Sequence, residues 1–195
     1  MSQPASPSGA GVSNSCRIVF LVGFMGAGKT TVGRMLAARL SWTFEDLDDR
    51  IQAREKRAIA QIFHDSGEAA FRDAEHAALK ELLAEESAQP SIVALGGGAF
   101  VQDRNAALLR EAGAVSVFLD APADELFDRS GKQEVGGQKV ERPLRRSRGQ
   151  FTDLYGARRE HYLAASCRVE TQAKSVEAVA GEIISLLGLQ AVAKV

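Results

Sequence analysis

Apolar residues run without interruption through "RIVFLV" at 17–22 and stop at Gly23. A short β-branched and aromatic run of this kind predicts a strand covered on both faces of a parallel sheet. In "KTTVGRMLAARL" the pattern changes: Val32, Leu36 and Leu40 recur at helical spacing with Met35 beside them, so a helix follows. "TFEDL" is a second short strand, and "IAQIF" opens a helical region that resumes after Ser66-Gly67 through "EAAFRDAEHAALKELLAEE". "SIVALGGG" at 91–98 repeats the motif of a strand running into glycines. A helix is predicted over about 102–111, then a strand, "AVSVFLD", at 114–120. After the helical "ADELFDRS", the stretch "GKQEVGGQKVE" at 131–141 has three glycines and little apolar content, which predicts a mobile loop. "FTDLYGARREHYLAA" is helical, "CRVET" is a last strand, and "VEAVAGEIISLLG" is an amphipathic terminal helix. Strands alternating with helices predict an α/β fold with a parallel sheet and right-handed crossovers, whose ligands bind beyond the carboxyl ends of the strands.

Composition narrows this picture. A chain of 195 residues, 45% hydrophobic and 25% charged, fits one globular domain with a sizeable core. A net charge of -1 offers no overall attraction to nucleic acid or an anionic membrane, so any anion site must be local. Cys16 and Cys167 make neither a disulfide framework nor a zinc spacing, which suits a reducing compartment. The first fifteen residues, rich in Ser, Pro, Gly and Ala, read as a disordered tail at 1–15 ahead of a single domain at 16–190. No apolar run reaches the roughly 18 residues of a membrane span, and the expected location is the cytoplasm.

The sharpest local chemistry lies between the first strand and the first helix. "GFMGAGKT", Gly23 to Thr30, fits the phosphate-loop pattern G-x-x-x-x-G-K-[ST] in the strand–loop–helix context that the motif requires. Glycines let the backbone approach a polyphosphate, and the amides of Gly26, Ala27, Gly28, Lys29, Thr30 and Thr31 point at it from a helix N-terminus. Lys29 adds a mobile full charge, and the Thr30 hydroxyl can enter the shell of a Mg2+ ion bridging phosphate oxygens. A nucleoside triphosphate and Mg2+ are therefore the expected co-substrate and cofactor. None of the lysines lies in the N-K-x-D pattern of guanine readers. Motor ATPases carry an apolar strand ending in acid, and only "VFLD" at Asp120 resembles that ending.

Taken together and in order, "GFMGAGKTTVGRMLA", "FEDLDDRI", "IAQIFHDSGEAAFRDAE", "ALGGGAF", "ERPL" and "RREHY" resemble shikimate kinases, a family of nucleoside-monophosphate-kinase-like P-loop proteins. The resemblance spans about residues 17–187 and resides in the ordered set, since none of the later motifs is specific alone. It implies a three-layer P-loop kinase sandwich, with a five-stranded parallel sheet, helices on both faces, substrate-binding helices and a lid over about 130–143. The implied reaction moves the ATP γ-phosphate to the 3-hydroxyl of shikimate, in chorismate and aromatic amino acid biosynthesis. Among the matched positions, Asp48 is the family's substrate aspartate and candidate proton acceptor, and Asp46 the aspartate that reaches Mg2+ through water. Arg72 and Arg158 match the arginines that clamp the substrate carboxylate, with Glu75 pairing to Arg72. Arg158 has Arg159 beside it and Glu160 where the family has proline; it is chosen because Tyr162 then falls at the aromatic position. Gly96, Gly97 and Gly98 match the triple glycine against the substrate. Arg142 matches the lid arginine acting on the phosphates, Arg129 the arginine along adenine, and Lys174 a late nucleotide contact. The lid looks longer than in many relatives. The implied partners are ATP and shikimate, with the chain acting as a monomer.

Other features take structural readings. If residues 44–48 of "FEDLDDR" are extended, Phe44, Asp46 and Asp48 share one side and Glu45 and Leu47 the other, leaving Glu45 and Asp49 without assigned chemistry. Arg145, Arg146, Arg148 and Arg159 read as a solvated helix face, not a nucleic-acid surface, because no aromatic stacking array accompanies them. His64, His76 and His161 show no metal spacing; Trp42, Phe44 and Phe71 read as core residues, with Phe71 also a candidate to flank a substrate ring. Two rival functions stay open at this point: another small-molecule kinase of the same fold, such as a gluconate or nucleoside-monophosphate kinase, and a noncatalytic nucleotide-dependent module.

Overall fold

The computed structural model describes residues 18–85, 89–131, 134–135, 138–139 and 147–191. In chain order the elements are β1 (Ile18–Val22), α1 (Lys29–Leu40), β2 (Thr43–Asp46), α2 (Leu47–Glu55), α3 (Ile59–Ala84), β3 (Ser91–Ala94) and α4 (Asp103–Glu111). They continue as β4 (Val115–Asp120), α5 (Ala123–Gly131), β5 (Glu134–Val135), β6 (Gln138–Lys139), α6 (Arg148–Tyr162), β7 (Cys167–Glu170) and α7 (Val176–Leu187). The main sheet is parallel throughout, with five strands in the order β2-β3-β1-β4-β7 and helices on both faces. In the central strand, Val19, Phe20, Leu21 and Val22 are wholly buried, which explains an apolar run without alternation. Each such side chain contributes about 1.5–3 kcal/mol by leaving water. That burial anchors the loop leaving β1 to the centre of the sheet.

α1 and α7 pack together, as do α5 and α6. α2 and α3 form a separate packed pair beside the β2 and β3 edge. α3 is interrupted at Gly67, whose φ of 79° and ψ of 177° break the helix where Ser66-Gly67 predicts a break.

Three expectations need correction. The strand ends at Asp46, and Leu47–Glu55 is a helix, so alternation does not extend to Asp48. The reason is local: the Asp46 side chain caps α2 by accepting from the Asp48 amide, Asp48 and Asp49 complement the positive helix end, and Leu47 and Ile51 are buried one turn apart. The predicted loop at 131–141 contains the antiparallel two-residue strands β5 and β6. Finally, α6 begins at Arg148, three residues before "FTDLYG", because Ser147 accepts from the Gln150 amide and caps it.

Candidate active site

The phosphate loop joins β1 to α1 at the carboxyl edge of the sheet. Gly26 has a φ of 83°, and a Cβ there would collide with the Leu126 carbonyl of α5, so both its backbone conformation and its neighbour require glycine. Gly28, with a φ of 86°, leads into α1 without a side-chain cap, and the first-turn amides of α1 remain a site for an anion. Lys29 arches back over the loop, donating from Nζ to the carbonyls of Gly23 at 2.9 Å and Phe24 at 3.1 Å. Ala27 is buried in the loop and Thr31 is exposed on the first turn of α1. Thr30 Oγ1 donates to Asp46 Oδ2 at 2.9 Å, and Asp46 Oδ1 accepts from the Asp48 amide at 3.2 Å. Asp46 therefore ties the loop to the start of α2.

A second cluster assembles beside it from three segments: the first turn of α2, the middle of α3 and the glycines after β3. A Cβ on Gly96 would lie 2.7 Å from Asp48 Oδ1 and 3.2 Å from Glu75 Oε1, and one on Gly98 would lie 2.6 Å from Arg72 Nη1. A Cβ on Gly97 would lie 3.6 Å from the Met25 amide nitrogen and 3.7 Å from the Gly23 carbonyl oxygen. The triple glycine thus abuts the phosphate loop on one side and Asp48, Arg72 and Glu75 on the other. Arg72 donates to Glu75 at 3.0 Å and to Glu68 at 3.0 Å, and its guanidinium lies 5.1 Å from the Phe71 ring centroid. Burial pushes the Glu75 carboxyl above the usual carboxylate range, opposed by the charge and hydrogen bond of Arg72.

From α6, Arg158 donates to the Gly97 carbonyl at 3.4 Å, and the Tyr162 hydroxyl donates to the same oxygen. Burial raises the Tyr162 phenol far above its ordinary range, so it acts as a neutral donor. Arg158 and Arg159 face different surroundings. Arg158 stands over the Phe24 ring of the phosphate loop, whereas Arg159 pairs with Asp120 at 2.8 Å. Arg159 accordingly leaves the solvated face expected for it. Asp120, the strand-end acid, is buried and enclosed by Arg159, by Arg168 at 2.8 Å and by the Tyr155 hydroxyl. These residues line a cavity of about 210 Å³ with Glu170 and Gln172.

Arg129 donates to Glu125, to Thr171 Oγ1 at 3.1 Å and to the Thr171 carbonyl at 2.9 Å, binding the loop after β7 to α5. Lys174, in that loop, pairs with Glu182 at 2.5 Å on the surface. Arg142, with most of the expected lid, lies outside the described residues, as do Arg145 and Arg146. Arg148 pairs across to Asp124 and Asp128 at 2.5 and 2.8 Å. Among the described residues no three His, Cys, Asp or Glu side chains gather as a metal cluster, and no helix is long and apolar enough to cross a membrane. His64 pairs with Asp65, and His76 with Asn105 at 2.7 Å. Phe71 is buried, and Trp42 and Phe44 pack against the core. One participant has no signal in the motifs: Gln102, at the N-terminus of α4, donates to Glu75 Oε2 at 2.5 Å.

Residues 25–188 match the family model described as shikimate kinase. A shikimate kinase from Geobacter sulfurreducens is 40% identical over 90% of this chain and 93% of its own. One from Limosilactobacillus fermentum is 41% identical over 87% of this chain and 94% of its own. Among solved structures, a shikimate kinase from Acinetobacter baumannii in complex with shikimate superposes with a TM-score of 0.78 at 32% identity, covering 89% of this chain and 93% of that one. With the phosphate loop, the triple glycine and the sheet order all in place, the chain belongs to the shikimate kinase family.

Proposed function

We propose that this chain transfers the γ-phosphoryl group of ATP to the 3-hydroxyl of shikimate, giving shikimate 3-phosphate and ADP. The observation that carries this reading is the contact of Gly97 with the phosphate loop while Gly96 and Gly98 lie against Asp48 and Arg72. A phosphate donor on one side of the triple glycine and a hydroxy acid on the other would meet over a short distance.

In this reading Arg72 holds the acceptor's carboxylate through a planar bidentate fork, assisted by Arg158 from α6. Asp48 orients the ring hydroxyls and takes the proton of the attacking one as its oxygen bonds to phosphorus and the bond to the leaving ADP oxygen breaks. An ordinary carboxylate suffices, because phosphoryl transfer depends mainly on positioning and charge neutralisation. Lys29 and the amides of residues 26–31 neutralise the phosphates. The Thr30 hydroxyl and Asp46 carboxylate are hard oxygen donors joined at 2.9 Å, a set suited to Mg2+. Thr30 would hold the ion directly and Asp46 through water. Bound there, Mg2+ would supply charge neutralisation on the phosphate oxygens. Arg129 and Lys174 are proposed contacts on the nucleotide side, and Arg142 a lid contact to the phosphates. The proposed working unit is a cytoplasmic monomer built as one domain over 16–190, with its lid at about 130–143.

Coupled ADP release with ATP and Mg2+, comparing shikimate, quinate, gluconate and nucleoside monophosphates, tests the assignment. Turnover is expected with shikimate above the others. A folded protein with no shikimate-dependent turnover would rule it out, and preference for gluconate or a nucleotide would transfer the chain to a different kinase reading.

A further inference from the structure

Gln102 occupies the N-cap of α4, where Ser, Thr, Asn or Asp would bond to their own helix. Its carbonyl accepts from the Asn105 and Ala106 amides, but its side chain makes no cap bond. The longer side chain instead crosses to α3, where Nε2 donates to Glu75 Oε2. That same oxygen accepts from Arg72 Nη1 at 3.0 Å. On the other side of the amide, Arg104 Nε donates to Gln102 Oε1 at 3.2 Å while Arg104 Nη1 pairs with Asp73 at 2.8 Å. An arginine can only donate, so the atom facing it must be the amide oxygen, and the amide NH2 must face Glu75. Both neighbours therefore impose one orientation.

Glu75 is 1% exposed. A carboxylate buried to that degree depends on its donors, since each missing partner leaves a desolvated lone pair. With Gln102 in place, Glu75 is held from α4 as well as from Arg72, and its oxygen stays where it can aim the guanidinium along Gly98. Asn105 reinforces the arrangement by donating to the Ala99 carbonyl at 3.0 Å while meeting His76. The start of α4 is thereby pinned to both α3 and the glycine loop.

We propose that Gln102 is a positioning residue for the acceptor site: bonded to Glu75 and oriented by Arg104, it fixes the carboxylate that aims Arg72 at the substrate's carboxyl group. This rests on the shikimate reading above, which the wild-type assay tests separately. The test is steady-state kinetics of Gln102→Leu with each substrate varied in turn, alongside calorimetric binding of shikimate without nucleotide. Expected are a rise of about tenfold in shikimate KM and Kd, with ATP KM and kcat within about twofold of wild type. A general loss of packing would instead lower stability and disturb both substrates alike. In Gln102→Glu, the introduced carboxyl donates to Glu75 only when the pair holds a proton, so shikimate affinity should improve relative to wild type as pH falls. Arg104→Ala should give a smaller loss of about two- to threefold, confined to shikimate. Unchanged shikimate affinity in folded Gln102→Leu, or equal effects on ATP and shikimate, overturns the proposal. If that variant does not fold, the absence of a pH-dependent recovery in Gln102→Glu does the same.

Discussion

The two halves of the site are built from different materials. On the proposed nucleotide side, eight consecutive residues, Gly23 to Thr30, form a loop that would act mostly through backbone amides, shaped by positive φ at Gly26 and Gly28. On the proposed acceptor side, the groups are side chains, Asp48, Arg72, Glu75 and Gln102, brought from α2, α3 and the start of α4 toward three glycines after β3. The first half is local in sequence and set by backbone conformation. The second exists only after the chain has folded, and its geometry depends on buried ion pairing. Substitutions should therefore separate the halves: those on the acceptor side should act on shikimate and chemistry, and those in the loop on ATP and on stability together.

The largest separation is expected for Asp48→Asn. Loss of the proposed proton acceptor should lower kcat by roughly 10²–10⁴-fold, while ATP affinity, measured by calorimetry, stays near wild type. Near-normal turnover would remove Asp48 from the mechanism. Arg72→Lys keeps the charge but loses the fork. It should raise shikimate KM by about 10- to 100-fold, the scale of a charged hydrogen bond, with ATP KM little altered. A parallel change in both KM values would show that the two halves are not separable.

Gly26→Ala probes the opposite half. The new methyl would meet the Leu126 carbonyl in a backbone region that L-residues adopt at a cost of about 1–2 kcal/mol. Stability should fall by at least about 2 kcal/mol once the clash is added, read as a lowered unfolding midpoint in urea, together with a raised ATP KM. A variant with wild-type stability and a defect confined to shikimate would contradict the backbone-made character of this half.

What the sequence revealed follows the same division. The phosphate loop and the buried central strand are legible from spacing and apolar run, because both are consequences of local backbone requirements. Asp48, Arg72 and the triple glycine are nominated through family resemblance, since nothing in their spacing says that α2, α3 and β3 converge. Alternation placed Asp46 and Asp48 on one side of an extended strand, but Asp46 instead caps a helix and Asp48 lies in its first turn. Alternation reads the acid cluster as the end of a strand, although an acid at the cap, acids in the first turn and Leu47 with Ile51 one turn apart are a helix-start signal. Arg158 and Arg159 were ambiguous in sequence by one position. A helix rotates neighbouring side chains by about 100°, which sends one to Gly97 and the other to Asp120. Gln102 was invisible for a further reason: an N-cap position gives no hint that its side chain will leave its own helix.

The smallest predicted effect concerns the titrating group in the acceptor half. Burial raises the Glu75 carboxyl above the range it would have in the unfolded chain. In the interval between those two values the folded state binds more protons than the unfolded state, so stability declines as pH rises through it. Below the unfolded value both states are protonated, and the contribution is fully present; above the folded value both are ionised, and it has been lost. Glu75→Gln lacks this titration. The difference in unfolding free energy, wild type minus variant, should therefore fall as pH rises from the ordinary carboxylate range and then level off. Urea unfolding of both proteins across the acid-to-neutral range measures it. An increase with pH would mean that Arg72 and Gln102 together outweigh burial and depress the carboxyl, making the acceptor half a fully compensated ion pair instead of one held ionised against its burial.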